Sequence, residues 1–203
     1  ISRSDEAKAL GIPMGAPEFK IRAELKKQNI HVFSSNYALY GDMSSRVMNI
    51  LATYSPEIEI YSIDEAFLKF KGFEYFDLQQ LGLDMQRKVT KGTGIPVSIG
   101  FAPTKALAKV ANKIAKKYPE RTQSVYTIDN DEKRIKALKW TKIEDVWGIG
   151  RKHTKRLQAK NVINAYQFTQ LPDEWVRKEM AVVGLRLKHE LEGKPTLDLE
   201  SPK

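Results

Sequence analysis

Two acidic residues, Asp64 and Glu65, stand side by side in the stretch EIEIYSIDEAFLKF, residues 57–70, which otherwise favours β-strand. Asp and Glu are rarely buried without a partner, and neighbours on a regular strand point to opposite faces. The two carboxylates can therefore share a site only where the chain bends, as at a hairpin tip. Carboxylate oxygens suit Mg²⁺, and two Mg²⁺ ions about 3.5–4 Å apart are a common device for phosphoryl transfer. The pair indicates a metal site, with a solvated charged turn as the alternative.

A second group of candidates is a stripe of lysines on a predicted helix over 103–118. The opposite face of this helix is apolar, which predicts that it packs on a core. The lysines recur mostly every four residues, at Lys105, Lys109, Lys113 and Lys116. Cations on one helix face suit phosphate groups, and a solvated lysine-rich surface is the alternative.

The stretch DVWGIGRKHTKRLQAKNV, residues 145–162, has the pattern of a helix-hairpin-helix. Its glycines permit a tight turn that a partner can approach closely, and the N–H groups that begin the next helix can bind a DNA phosphate. The candidate DNA-binding residues are Gly148, Ile149, Gly150, Arg151, Lys152 and Lys155, with added charge from Arg156. Such contacts position a duplex without reading its bases. An ordinary helix–helix turn is the alternative.

Hydrophobic periodicity predicts the elements that position these residues. Helices are predicted at 5–10, 17–29, 36–54, 76–91, 103–118 and 129–140. Strands are predicted at 30–35, 96–102 and 124–128, besides the hairpin at 57–70. Ser34 or Ser35 is expected to cap the third helix, and Asp129 to begin the sixth. Only short helices follow over 143–192, so a domain boundary is expected near residue 140.

The composition indicates a globular chain that binds a polyanion. Its 203 residues are 41% hydrophobic and 29% charged, without an apolar run long enough to span a membrane. The absence of cysteine excludes disulfides, thiolate zinc sites and cysteine nucleophiles, and suits the cytosol. The net charge of +9 is concentrated in residues 86–160, where 19 Lys and Arg stand against 6 Asp and Glu. Nucleic acid is the natural partner of such a segment.

Several motifs, in order along the chain, resemble the Y-family of translesion DNA polymerases. YSIDEAF (61–67) resembles the central signature of this family, and EAKALGIPMG (6–15) resembles the start of its fingers domain. APTKALAKVANKIAKK (102–117) resembles a helix of the palm domain. FSSNYALYGDMSSRVM (33–48) and DVWGIG (145–150) are closer to the bacterial UmuC branch than to the DinB branch. The resemblance implies an error-prone, lesion-bypassing polymerase of the bacterial response to DNA damage.

The resemblance also implies the fold. The expected class is an α/β (α+β) palm, with a mixed or antiparallel sheet and flanking helices, plus a small all-α thumb that contains the helix-hairpin-helix. The expected divisions are incomplete fingers and a connecting helix over 1–54, palm over 55–140, thumb over 141–195, and the start of a linker over 196–203.

Roles follow from the resemblance for individual residues. Asp64 and Glu65 match the second and third catalytic carboxylates, which hold two Mg²⁺ ions. Lys8 and Lys116 match the cations that contact the incoming triphosphate, and Lys109 is expected to reach the primer end or phosphates. The implied partners are primer–template DNA and a deoxynucleotide, and for the intact protein a UmuD-type dimer, a RecA filament and a sliding clamp. The implied location is the cytoplasm, on the nucleoid when DNA is bound.

Two departures from the family pattern matter. Asp5 stands where many members carry a Tyr that touches the triphosphate. The first catalytic Asp and the steric-gate aromatic would precede Ile1, and a little-finger domain would follow residue 203. We therefore expect a fragment that is inactive by itself. The alternatives are a non-catalytic DNA-binding module and a palm-like nucleotidyl cyclase, although a cyclase has no need of a duplex-binding hairpin.

Overall fold

The computed structural model describes residues 2–72 and 76–200, so the predicted linker over 196–203 extends outside the described residues at its end. The chain divides into two compact units, Ile1–Leu39 and Tyr40–Lys203. The helices are α1 (Asp5–Ala9), α2 (Glu18–Lys27), α3 (Tyr37–Ala52), α4 (Leu78–Thr93), α5 (Lys105–Lys117), α6 (Pro119–Thr122), α7 (Asp131–Trp140), α8 (Arg151–Gln158), α9 (Ala165–Thr169) and α10 (Asp173–Leu191). The strands are β1 (Ile58–Ile60), β2 (Ala66–Leu68), β3 (Ile99–Phe101) and β4 (Val125–Thr127). Within these ranges, no helix is both long and apolar enough to cross a membrane.

The first unit contains α1 and α2, which pack through a small core of Ala7, Ile12 and Leu25. The strand predicted at 30–35 is wrong. Residues 31–36 are exposed and form no ladder with any strand in the described part of the chain. Strand propensity without a hydrogen-bonded neighbour does not make a strand, because the backbone groups then bond to water instead.

Asparagines occupy two N-cap positions for which other residues were predicted. The Asn36 side chain accepts a hydrogen bond from the amide of Leu39 (3.1 Å), so Asn36 replaces the predicted Ser34 or Ser35 at the start of α3. Asn130 likewise replaces Asp129 at the start of α7, where it caps the helix in an extended backbone conformation. A capping side chain must reach an amide two or three residues ahead, which settles the choice among neighbouring polar residues.

Two small sheets organise the second unit. The β1–β2 pair is antiparallel, as the predicted hairpin requires, and β3–β4 is parallel. Gly100 of β3 lies directly against α5, since a Cβ atom there would stand 2.2 Å from the Asn112 amide nitrogen and 2.5 Å from the Ala108 carbonyl oxygen. This backbone contact fixes the depth at which the lysine-bearing helix sits on the sheet.

The C-terminal part is helical, as predicted, but its last helix is not short. The α10 helix runs for 19 residues and breaks at Ala181, which has φ 56° and ψ −164°. A positive φ is strained for a residue with a side chain, so the surroundings must hold the break in place. Arg156 of α8 does so by donating to the carbonyl oxygen of Glu179 (2.8 Å) and pairing with its carboxylate (2.9 Å).

Candidate active site

The acidic pair lies in the five-residue connection between β1 and β2. The amides of Tyr61 and Ser62 both donate to the carbonyl oxygen of Glu65, at 3.0 and 3.1 Å, and so close the tip. The Ser62 hydroxyl donates to the Asp64 carboxylate (2.7 Å) and accepts from its amide (3.4 Å). Asp64 is exposed, and the Glu65 side chain is 42% exposed. The bend that adjacent carboxylates need in order to share a site is therefore present.

The α5 helix presents its lysines to this hairpin. Lys109 forms an ion pair with Glu65, and its Nζ lies 5.5 Å from the centre of the Tyr61 ring. One helical turn earlier, Lys105 pairs with Glu59 of β1 at 2.7 Å, and both of those side chains are nearly buried. The spacing of four residues matches the repeat of the helix, so both lysines meet the hairpin side by side.

The other two lysines of the stripe behave differently. Lys113 pairs with Asp145 at 2.8 Å. Lys116 is exposed in the last turn of α5 and forms no ion pair with the residues that the structure describes. Seven residues separate it from Lys109, a rise of about 10 Å along the helix axis. Of the four lysines, it is therefore the one left open to a phosphate group.

A buried carboxylate that no motif singles out holds the start of α5. Glu190 is fully buried, and its Oε2 atom accepts from the Ala106 amide (3.2 Å). Its Oε1 atom accepts from the amides of Thr196 (2.6 Å) and Leu197 (3.0 Å). Glu190 stands in a run of charged residues near the end of α10, which reads as solvated surface, so no sequence signal distinguished it. Glu59 was missed for another reason, because it alternates with Ile58 and Ile60 in a strand pattern that predicts a solvent-facing side chain.

The acidic pair fits part of a divalent-cation site. Within residues 2–72 and 76–200, no three His, Cys, Asp or Glu residues are grouped so that they could hold a metal ion. Mg²⁺, however, is commonly bound through one or two carboxylates together with waters and substrate phosphates. Asp64 and Glu65 supply oxygen donors of that kind at an accessible tip. Lys109 supplies the counter-charge to Glu65, so a cation would have to share or replace that contact.

The predicted DNA-binding turn lies between a 3₁₀ turn (Ile143–Asp145) and α8, so the first helix of the expected hairpin is a single turn. Gly148 has φ 87°, which favours glycine, and Ile149 is buried. Gly150 is the N-cap of α8 and has no side chain with which to cap it. No side chain in the described part of the chain caps the first N–H groups of α8, so they are available to an external acceptor.

Three cations surround these amides. Arg151, Lys152 and Lys155 are exposed, and no carboxylate among the described residues forms an ion pair with them. Arg156 differs, because Glu179 neutralises it. Open amides beside unpaired cations are suited to an anion such as a phosphate.

The turn touches the hairpin directly. The Trp147 indole Nε1 donates to the Tyr61 hydroxyl (3.1 Å), and the two rings meet edge to face with centroids 5.6 Å apart. The Trp147 ring also lies 5.9 Å from the Phe67 ring of β2. The structure thus brings together the acidic pair, Lys109 and the turn.

Lys8, the remaining predicted site residue, lies on α1 in the first unit. Its Nζ pairs with the Asp5 carboxylate at 2.6 Å, and both side chains are largely exposed. Asp5 is the residue at which the sequence departs from the family pattern. Its carboxylate forms an ion pair with the lysine that the pattern assigns to phosphate binding. The role predicted for Lys8 at the triphosphate stays a prediction.

Comparison with known sequences identifies relatives along almost the whole chain. Residues 1–113 match the model of the impB/mucB/samB family. Protein UmuC of Salmonella typhimurium is 41% identical over 201 residues, which is 98% of this chain and 48% of that protein. DNA polymerase IV of Saccharolobus solfataricus is 32% identical over 155 residues, which is 75% of this chain and 42% of that protein. The chain spans about half the length of the curated relatives it matches.

Solved structures share the fold. The insertion ternary complex of Dbh DNA polymerase superposes with a TM-score of 0.79 at 22% identity, over 97% of this chain and 56% of that one. DinB from Sulfolobus solfataricus superposes with a TM-score of 0.75 at 24% identity, over 96% and 56% of the two chains. The predicted fold class, a mixed α/β palm with a helical thumb, is thereby confirmed.

Proposed function

Because the chain belongs to the impB/mucB/samB family, we propose that the whole protein is a DNA-directed DNA polymerase that copies damaged templates. This chain would contribute a carboxylate hairpin and part of the duplex-binding surface. The observation that carries the proposal is the contact between the hairpin that bears Asp64 and Glu65 and the turn before α8, through Tyr61 and Trp147. A phosphoryl-transfer site and a duplex clamp need to be adjacent, because the primer end must reach the metal.

The proposed reaction joins a nucleotide to a primer. The primer 3′ oxygen attacks the α-phosphorus, a new P–O bond forms, pyrophosphate leaves, and the hydroxyl proton passes to solvent. Mg²⁺ held by Asp64 and Glu65 would supply Lewis-acid stabilisation of the charge that develops on the transferring phosphate. Ser62 orients the Asp64 carboxylate, and Lys109 holds that of Glu65 at the tip.

The remaining residues would bind substrates. The exposed position of Lys116 supports a contact with the triphosphate, and Lys8 is proposed for the same task. The open amides at the start of α8, with Arg151, Lys152 and Lys155, would hold duplex phosphates without base preference. A UmuD-type dimer, a RecA filament and a sliding clamp stay proposals for the whole protein, as do Mg²⁺ as the particular ion and action on the nucleoid.

Replacement of the acidic pair tests the proposal. In the full-length protein, Asp64→Asn and Glu65→Gln keep the side-chain volume and remove the charge. Each should lower single-nucleotide incorporation by about 100-fold or more, on both undamaged and abasic templates, since the metal loses a ligand. Duplex affinity should change little, because the cations of α8 are intact. Near-normal incorporation by either variant would remove the metal site.

A matched control is Asp42→Asn, which alters an exposed acid paired with Arg46 on α3. It should incorporate nucleotides like the unaltered protein. Mg²⁺ should also raise the melting midpoint of the unaltered protein more than that of either active-site variant, since a ligand that binds only the folded state stabilises it. An equal Mg²⁺ response in all four proteins would contradict the proposal.

A duplex-binding module without catalysis is the second candidate. The ion pair of Glu65 with Lys109 favours this candidate. A carboxylate whose role is only to hold α5 against the hairpin would be expected to pair with a lysine of that helix instead of a metal ion. On this account the unaltered full-length protein binds duplex and incorporates nothing. The same incorporation assay therefore decides between the two candidates.

A further inference from the structure

We infer that Tyr61 and Trp147 form a latch that sets the spacing between the phosphate-binding turn and the carboxylate hairpin, and that both are positioning residues for nucleotide incorporation. The inference rests on the proposed function and deepens it. Neither residue carries a charge or was a candidate on the sequence. Their importance follows from what each of them joins.

On the hairpin side, Tyr61 is coupled to Glu65 in two ways. Its amide donates to the Glu65 carbonyl oxygen (3.0 Å), which closes the tip. Its ring lies 5.5 Å from the Nζ of Lys109, the lysine that pairs with the Glu65 carboxylate. A shift of the Tyr61 ring therefore acts on the backbone and on the counter-ion of a proposed metal ligand.

On the other side, Trp147 directly precedes the turn that begins at Gly148. The turn has little freedom, because Ile149 is buried and its amide donates to the carbonyl oxygen of Val146 (3.0 Å). A second tie, from Asp145 to Lys113 of α5 (2.8 Å), holds the same segment from the opposite end. Fixing the Trp147 ring therefore fixes the amides that would receive a phosphate.

The latch combines a directional hydrogen bond with apolar ring packing. Tyr61 is 45% exposed, so the burial of its ring is incomplete. The hydrogen bond from the indole to the hydroxyl (3.1 Å) and the edge-to-face packing select one relative orientation of the rings. Catalytic rates respond to displacements of about 1 Å between reacting groups, so an orientation of this kind bears on rate more than on substrate binding.

The chain contains a matched control for this pair. The Trp140 indole donates to the Tyr118 hydroxyl at 2.9 Å, with ring centroids 5.7 Å apart. That pair has the same chemistry, and it joins α7 to the end of α5 instead of joining the turn to the hairpin. Trp147→Phe and Tyr61→Phe delete the latch hydrogen bond and keep an aromatic ring, and Trp140→Phe and Tyr118→Phe do the same for the control.

The measurement is steady-state incorporation by the full-length protein carrying each substitution. Trp147→Phe and Tyr61→Phe should each lower kcat about 3- to 10-fold, with KM for the nucleotide and Kd for duplex within about twofold of the unaltered values. The double variant should be no slower than the slower single variant, because one hydrogen bond is lost in every case. Both control variants should retain kcat, although their melting midpoints should fall by about as much as those of Trp147→Phe and Tyr61→Phe.

Two results would overturn the latch: an unchanged kcat in Trp147→Phe and Tyr61→Phe, or an equal fall in kcat in the control pair. If the unaltered protein incorporates nothing, the proposed function fails separately, and hydrogen exchange decides the latch. Blunt duplex should then slow exchange of the Tyr61 and Ser62 amides in the unaltered and Trp140→Phe proteins and not in Trp147→Phe. The latch would be refuted if duplex left the exchange of these amides unchanged in the unaltered protein. It would also be refuted if duplex slowed their exchange as much in Trp147→Phe as in the unaltered protein.

Discussion

Two basic helices of the chain use their charge in opposite ways. On α5, Lys105, Lys109 and Lys113 each pair with a carboxylate of another element. On α8, Arg151 and Lys152 are exposed and form no ion pair with the described residues. These three lysines of α5 are therefore neutralised within the protein, whereas Arg151 and Lys152 of α8 are available to a partner.

This difference limits what clustered charge can say about function. A stripe of lysines on one face suggested a phosphate-binding helix, yet three of its four members form ion pairs between α5 and its neighbours. The pair of Lys109 fixes where the Glu65 carboxylate lies, whereas unpaired surface cations contribute to affinity for a polyanion and to its dependence on salt. A basic residue therefore indicates a DNA contact only when no carboxylate of the protein already neutralises it.

The largest expected effect separates the two helices by stability. Lys105→Ala leaves Glu59 nearly buried, with the Glu200 amide (2.7 Å) as its one remaining donor among the described residues, and should lower the free energy of unfolding by about 3–5 kcal/mol. Lys152→Ala on α8 should change it by no more than about 0.5 kcal/mol. Urea unfolding of the two variants measures this. Equal costs would show that the lysines of α5 are as free as those of α8.

A smaller loss of stability is expected from Gly100→Ala. The added methyl group would meet the α5 backbone at 2.2–2.8 Å, so the helix must move off β3, at a cost of about 1–3 kcal/mol. The control is Gly41→Ala on α3, where a Cβ atom meets nothing within 4 Å and the change should stabilise by up to about 1 kcal/mol. Melting midpoints in opposite directions would support the close contact. A stabilising Gly100→Ala would refute it.

The comparison also predicts different salt responses for duplex binding. Lys152→Ala and Lys155→Ala should each reduce the slope of log affinity against log salt by about one, because each removes a phosphate contact. Lys113→Ala should leave the slope unchanged, since Asp145 already neutralises that lysine. Fluorescence anisotropy with a labelled duplex at several salt concentrations measures the slopes. An equal fall for Lys113→Ala would mean that α5 also contacts DNA.

Local patterns sufficed for much of the fold. Alternating residues around Asp64 and Glu65 predicted the hairpin, and the apolar stripe of α5 predicted a helix on a sheet. Periodicity reports which face of an element is buried, and that information is local. The strand at 30–35 failed because a strand also needs a neighbour, which local propensity does not supply.

The site was predictable only in part, for a similar reason. The signature around Asp64 and the glycines of the turn lie within a few residues of each other, so they could be recognised as motifs. The bond of Trp147 to Tyr61 spans 86 residues, and the bond of Glu190 to the Ala106 amide spans 84. No pattern in a single sequence records such pairs, because their partners are chosen by the fold.

The smallest expected effect concerns an acidic residue that is paired with cations in the helical C-terminal part of the chain. Asp173, at the start of α10, accepts hydrogen bonds from Lys188 (2.7 Å) and pairs with His189 (3.0 Å). The hydrogen bond from Lys188, and to a lesser extent the contact with His189, lowers the pKa of Asp173 from 3.8 to about 2. A carboxyl group whose pKa is depressed by folding contributes stability above its unfolded pKa and loses it as the pH falls through its folded pKa. The contribution should be small, because the Asp173 side chain is half-exposed and solvent screens it.

Asp173→Asn should therefore lower the melting midpoint slightly near neutral pH, and the difference from the unaltered protein should shrink between about pH 4 and pH 2. His189→Gln removes the lesser of the two contacts and keeps Lys188, so it should raise the pKa of Asp173 only part of the way to 3.8. Carboxyl chemical shifts followed by NMR would report that pKa directly. A difference in melting midpoint that stays constant from pH 6 to pH 2 would show that the charge of Asp173 does not contribute to stability through Lys188.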